Sequence, residues 1–111
     1  MATRLPDEIQ LAELAALLPS GPLLIDVREA DETAAGMLDG ARRVAPDSVS
    51  QLVAKQRAGT QRRVIVYCAS GKRSRLAVAR LRADGIEAQS LAGGFLAWKA
   101  AAMTEGASDA V

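Results

Sequence analysis

The chain has 111 residues, of which 50% are hydrophobic, and its net charge is +1, which fits one cored domain without a global field for nucleic acid or membranes. It contains one cysteine and no histidine, so we expect no internal disulfide, no metal site built from its own side chains and no histidine-activated nucleophile. The N-terminal stretch lacks the apolar core of a signal peptide, and no run is long enough to span a membrane. We therefore expect a cytoplasmic protein with no bound cofactor, nucleic-acid partner or membrane partner.

The first half of the chain alternates short apolar runs with helix-prone segments. Residues 7–10 predict a very short edge strand, and residues 11–18 predict a helix because their leucines recur at helical spacing. Residues 23–27 predict a buried strand. A polar helical segment then ends at Gly36, and residues 41–44 predict another short strand.

The second half continues the alternation. Residues 46–59 predict a helix that starts at the proline and ends at the glycine, and residues 64–67 predict the clearest strand. Residues 86–91 predict the last strand, residues 95–103 the last helix, and residues 104–111 a loose tail.

One more helix lies between the last two predicted strands. It is expected to begin near Arg73 or Ser74 and to stop at Gly85. Its predicted apolar stripe consists of Leu76, Val78, Ala79 and Leu81. Strands alternating with helices predict a single α/β domain, residues 1–111 with a core of about 8–103, built on a mostly parallel five-stranded sheet with helices on both faces.

Cys68 follows directly after the clearest strand, at the sheet edge where parallel sheets bind ligands. The residues after it can turn successive backbone N–H groups toward one point, because Gly71 permits unusual backbone angles and the next helix adds positive potential. Such a cradle lowers the pKa of a thiol and gives a nucleophile that needs no histidine. The alternative is that Cys68 is a small buried hydrophobe, but the glycine and basic residues after it favour the reactive interpretation.

Residues 68–74, CASGKRS, here named the cysteine loop, resemble the active-site loop of the rhodanese-homology family, whose usual form is Cys-x-x-Gly-x-Arg-Ser. Three further segments match the family in order: LLIDVRE at 23–29, GMLDGA at 36–41 and LAGGFLAW at 91–98. The resemblance runs from about Glu8 to Met103 and implies a single rhodanese-like domain.

The chain departs from the family at three positions. Thr33 stands where an aromatic residue is common, Met37 where histidine is frequent, and Asp39 where proline is frequent. These segments are mainly structural in the family, so we expect the departures to tune the fold rather than abolish it.

The resemblance implies sulfurtransferase chemistry. Cys68 would take the outer sulfur of a small anionic donor such as thiosulfate, become a persulfide, and pass the sulfur to cyanide, a thiol or a sulfur-accepting protein. The resemblance implies that the cysteine loop binds the substrate, with its backbone N–H groups holding the persulfide charge and its basic residues attracting the donor. The substrate-binding residues implied are Ala69, Ser70, Gly71, Lys72, Arg73 and Ser74.

Several of these residues also have a structural interpretation. Lys72 and Arg73 can be a solvated helix start, and the hydroxyl of Ser74 can cap the helix instead of binding sulfur. Asp26 and Arg28, at the end of another predicted strand, are expected to form a buried brace between loops, with substrate contact as the alternative.

Other functions compete with sulfur transfer. A related group of phosphatases and arsenate reductases has five residues between cysteine and arginine, whereas four residues, 69–72, separate Cys68 from Arg73. The shorter loop suits a sulfur-sized group better than phosphate. A persulfide carrier for one partner and a non-catalytic partner-binding module are the remaining alternatives.

Overall fold

The computed structural model describes residues 5–56 and 62–109, with side chains described up to residue 103. Within these residues the sheet has five strands: β1 Glu8–Ile9, β2 Leu23–Asp26, β3 Arg42–Arg43, β4 Val64–Tyr67 and β5 Gln89–Leu91. Their order across the sheet is β1-β5-β4-β2-β3. Each strand pair in the described chain is parallel, which confirms the predicted α/β class and five-stranded sheet.

Five helices connect or follow these strands in the described chain. They are α1 Leu11–Leu17, α2 Ala30–Ala34, α3 Val49–Gln56, α4 Lys72–Ala83 and α5 Gly94–Asp109. The proline that was expected to start α3 opens a 3-10 turn, Pro46–Ser48, and the predicted end of this helix at Gly59 lies outside the described residues. Helical backbone in α5 extends into the segment from residue 104 that was expected to be loose.

The central strands β2 and β4 are buried along their whole length because both faces of the sheet are covered, and they are apolar except for Asp26 at the end of β2. On one face, Val66 and Cys68 pack in a core that includes Val53 of α3 and Val78 of α4. A second core covers the opposite face of the sheet. It contains Leu24, Ile65 and Tyr67 of the sheet and Leu14 of α1, and Trp98 of α5 packs against it. Helices therefore lie on both faces, as predicted.

The predicted apolar stripe of α4 is wrong at two positions. Leu76 is 68% exposed and Ala79 is also exposed, although Val78 and Leu81 are buried. The buried face of the helix instead follows the spacing i, i+3, i+4, i+7 from the serine of the cysteine loop, and comprises Ser74, Ala77, Val78 and Leu81. A polar residue takes the first position of this face because its hydroxyl has partners inside the fold.

The departures from the family pattern lie on α2 and the turn after it. Leu38, which stands between Met37 and Asp39, is 3% exposed, and its N–H donates to the Tyr67 hydroxyl at 3.1 Å. Thr33 donates its hydroxyl to the carbonyl of Ala30 at 2.9 Å. The turn is thus held to the sheet without the usual histidine and proline. Within the described chain no helix has both the length and the apolar character needed to cross a membrane.

Candidate active site

The Cys68 sulfur lies at the carboxyl end of β4, enclosed by the turn that leads into α4. Its Sγ accepts hydrogen bonds from the backbone N–H of Gly71 at 3.0 Å and from that of Ser74 at 3.4 Å. The hydroxyl oxygen of Ser74 is 3.5 Å from the same sulfur. The cysteine is 1% exposed, so protein donors rather than bulk water surround the sulfur.

Gly71 produces this geometry. It is the N-cap residue of α4 and has φ +113°, a backbone angle that residues other than glycine rarely adopt. Its carbonyl accepts the first helical hydrogen bond, from the N–H of Arg75 at 3.1 Å. Because Gly71 occupies the cap, Ser74 lies inside the first helical turn and faces the sulfur. The alternative role of Ser74 as the helix cap is therefore wrong.

The hydrogen bonds to the sulfur determine the direction in which the pKa of the thiol shifts. Burial raises the pKa of Cys68, but the Ser74 hydroxyl and the backbone N–H groups of Ser74, Gly71 and Ser70 outweigh it, so the pKa lies below its ordinary value. Hydrogen bonds to the charged form favour that form. The site therefore favours a thiolate without an imidazole base.

The start of α5 holds the cysteine loop from the other side. Phe95 donates its N–H to the Cys68 carbonyl at 2.8 Å, and Leu96 donates to the carbonyl of Ala69 at 3.1 Å. Gly94 allows this approach: it has φ +58°, and a Cβ there would lie 2.6 Å from the Ala69 carbonyl oxygen. The segment LAGGFLAW indicated the family, but the sequence alone did not reveal that its second glycine touches the cysteine loop.

Arg73 forms a bidentate ion pair with Glu32 of α2. Its Nη1 is 2.8 Å from Glu32 Oε1, and its Nη2 is 3.0 Å from Oε2. The two side chains are 40% and 31% exposed. Arg73 was expected at the rim as a cation for the donor. The structure places it there, with a carboxylate neutralising much of its charge and tying α2 to the cysteine loop.

This ion pair gives a pH prediction. The hydrogen bonds from Arg73, followed by the one from the Glu29 N–H, lower the pKa of Glu32 from 4.5 to about 2. Since the folded pKa is the lower one, the pair contributes fully above pH 4.5 and is lost as the pH falls toward 2. NMR titration of the Glu32 carboxyl carbon should give a midpoint near 2 at low salt, rising toward 4.5 in Arg73→Gln. A wild-type midpoint at the ordinary value would contradict the pairing.

Asp26 and Arg28 form a buried ion pair beside the site. Arg28 Nη2 is 2.7 Å from Asp26 Oδ2, and the two side chains are 4% and 0% exposed. Arg28 also donates to the carbonyl of Gly36 at 2.6 Å, and its guanidinium lies 4.0 Å from the centre of the Phe95 ring. One arginine thus connects the end of β2, the turn after α2 and the start of α5, which is the geometry of a brace.

The remaining predicted site residues lie at the rim. Ser70 and Lys72 are exposed, and Ala69 is partly buried. Three contributors were not predicted: Glu32, Gly94 and Ser90, whose hydroxyl is 2.7 Å from that of Ser74. In β5 the serine follows another polar residue, Gln89, so nothing in the sequence marked Ser90 as part of the site.

Comparison with known proteins identifies the family of the chain. The sequence model of the rhodanese-like domain matches residues 10–101, so the chain belongs to that family. No match was found among the curated proteins.

Solved structures of related proteins share the fold. Human single domain sulfurtransferase TSTD1 is 28% identical with a TM-score of 0.69, and the match covers 84% of this chain and 95% of that one. Thiosulfate sulfurtransferase from Pseudomonas aeruginosa is 31% identical with a TM-score of 0.74, over 91% of this chain and 19% of the other. Reduced CoADR-RHD from Bacillus anthracis is 27% identical with a TM-score of 0.68, over 80% of this chain and 16% of the other. The chain therefore corresponds to the whole of some relatives and to a small part of others.

Proposed function

We propose that this rhodanese-like domain is a sulfurtransferase that carries a sulfane sulfur on Cys68. The observation that carries the proposal is the sulfur cradle: Sγ accepts hydrogen bonds from the N–H groups of Gly71 and Ser74 in a chain that contains no histidine. A thiolate held by neutral donors is a nucleophile at neutral pH. The similarity to named sulfurtransferases supports the same chemistry.

The reaction has two displacement steps. In the first, the Cys68 thiolate attacks the outer sulfur of thiosulfate, the sulfur–sulfur bond of the donor breaks, and sulfite leaves with the bonding electrons. In the second, cyanide or a thiolate attacks the outer sulfur of the persulfide and releases thiocyanate or a new persulfide, which restores Cys68. Each step moves one sulfur atom and needs no further oxidant.

The cysteine loop suits a small donor. Cys68 is 1% exposed, and the exposed Ser70 and Lys72 stand at the rim. Lys72 and Arg75 supply exposed positive charge at the start of α4, whereas the charge of Arg73 is engaged by Glu32. We therefore propose a small anionic donor, thiosulfate or a low-molecular-weight persulfide, and an acceptor that is cyanide, a thiol or a partner protein. A cytoplasmic location, where a single thiol stays reduced, belongs to the same proposal.

Intact mass spectrometry tests the first step. Purified protein treated briefly with thiosulfate should gain one sulfur atom, and cyanide or a thiol should remove it. Cys68→Ser should gain none. The absence of a gain with thiosulfate and with low-molecular-weight persulfides, from a protein whose thiol is reduced, would overturn the proposal. Phosphate-ester turnover that Cys68→Ser abolishes would instead favour the phosphatase alternative.

A further inference from the structure

Ser90 lies in the middle of the sheet, where an apolar residue would be usual. It belongs to β5, is 0% exposed and pairs with Val66 of β4 in register. Paired residues of parallel strands project to the same face, and Cys68 follows Val66 by two residues on that face. The Ser90 side chain therefore points to the side of the sheet that carries the sulfur and α4.

The Ser90 hydroxyl has a specific partner. Its Oγ is 2.7 Å from Ser74 Oγ, which in turn is 3.5 Å from Cys68 Sγ. Ser74 can also donate its single proton to the Gly71 carbonyl, at 3.2 Å. Three partners thus compete for one proton, and the sulfur receives it only when Ser90 and Gly71 do not.

We propose that Ser90 is a positioning residue, which donates its hydroxyl proton to Ser74 and thereby directs the Ser74 proton to the sulfur of Cys68. When Ser90 donates, Ser74 cannot donate to Ser90, so its proton can go only to the sulfur or to the Gly71 carbonyl. The charged thiolate is the stronger acceptor of these two. The Ser74 hydroxyl also becomes a stronger donor because successive hydrogen bonds polarise one another. The order is Ser90 O–H to Ser74 Oγ, then Ser74 O–H to Cys68 Sγ. No proton is transferred along it. The role at the persulfide stage rests on the proposed function, whereas the role at the free thiolate does not.

Charged groups near the sulfur are independent of this arrangement. Arg73 is near enough for the Cys68 charge to contribute to raising its pKa, after its bond to Glu32. Lys72 of α4 is exposed, and the Asp26–Arg28 pair lies at the end of β2. Among the described residues, none of these charged side chains forms a hydrogen bond with the Ser90 hydroxyl, so Ser90→Ala leaves the charges around the sulfur in place.

The test measures the acidity of Cys68 directly. The ultraviolet absorbance of the thiolate is followed against pH and corrected with Cys68→Ser. The chain has one tyrosine, Tyr67, and its phenolate does not interfere because burial, above all, raises its pKa. Ser90→Ala should raise the Cys68 pKa by about half a unit, and Ser74→Ala by about one unit. Ser20→Ala, the same chemical change at an exposed hydroxyl bound to the Leu17 carbonyl, should leave it unchanged.

The double variant separates positioning from packing. If Ser90 acts through Ser74, adding Ser90→Ala to Ser74→Ala should shift the pKa no further. An unchanged pKa in Ser90→Ala, or an equal shift with and without the Ser74 hydroxyl, would overturn the proposal. The measurement needs no sulfur donor, so a failure of sulfur transfer in the wild type would count against the proposed function and not against Ser90.

Discussion

Gly94→Ala is expected to slow sulfur loading of Cys68 by about tenfold or more and to destabilise the fold by about 3 kcal/mol. A Cβ at this position would lie 2.6 Å from the Ala69 carbonyl oxygen and 2.7 Å from its carbonyl carbon, and it would also collide with the Cys68 carbonyl oxygen. These atoms are backbone, so they cannot rotate away. The cysteine loop must shift, and the sulfur then leaves its donors.

A matched control separates the clash from the cost of the backbone angle. Gly85, at the end of α4, has φ +86°, and a Cβ there would meet nothing within 4 Å. Gly85→Ala should cost about 1 kcal/mol and leave sulfur loading unchanged. Loading rates from mass spectrometry and thermal unfolding of both variants provide the comparison. Wild-type loading in Gly94→Ala would show that the helix start does not fix the cysteine loop.

Local signals made much of the fold predictable from the sequence. The predicted bounds of β4, residues 64–67, are those found in the structure. A strand that is buried on both faces is a continuous apolar run, and such a run is visible in the sequence without knowledge of the neighbouring strands. The position of Cys68 after it followed from the order of elements alone. The glycine of the cysteine loop likewise predicted an unusual backbone angle, and Gly71 has one.

Contacts between distant segments were not predictable. Arg73 and Glu32 are 41 residues apart, and Ser74 and Ser90 are 16 apart, so only the folded sheet brings them together. The error at Leu76 has the same origin. The hydrophobicity of Leu76 predicted that it faces the core, but the buried face of α4 begins at Ser74. Ser74 is buried because its hydroxyl forms hydrogen bonds inside the fold, not because its side chain is apolar. A single sequence carries no information about which buried hydroxyls will meet.

The hydrogen-bond donors to the sulfur and the contacts that hold the cysteine loop in place come from different parts of the chain. The cradle itself is local, built by Gly71 and Ser74. What keeps it in place is not local: the start of α5 binds two carbonyls of the cysteine loop, and Arg28 connects that helix start to the end of β2. Reactivity of the thiol should therefore depend on residues that never touch the sulfur.

Arg28→Met is expected to destabilise the fold by about 3–5 kcal/mol, because it leaves the Asp26 carboxylate buried and unpaired. It also removes the bond to the Gly36 carbonyl and the contact with the Phe95 ring. Denaturant unfolding of the wild type and of Arg28→Met at neutral pH measures the difference in their free energies of unfolding.

The control for this variant is the same substitution at an exposed ion pair. Arg80 and Asp47 are 3.4 Å apart with side chains 61% and 96% exposed, so Arg80→Met should change the free energy of unfolding little or not at all. If the two variants lost similar stability, Arg28 would be no more than a surface cation, and the link between β2 and the start of α5 would lie elsewhere. If Arg28→Met alone is strongly destabilised, the buried pair is the brace that keeps the cysteine loop and its supporting helix in one arrangement.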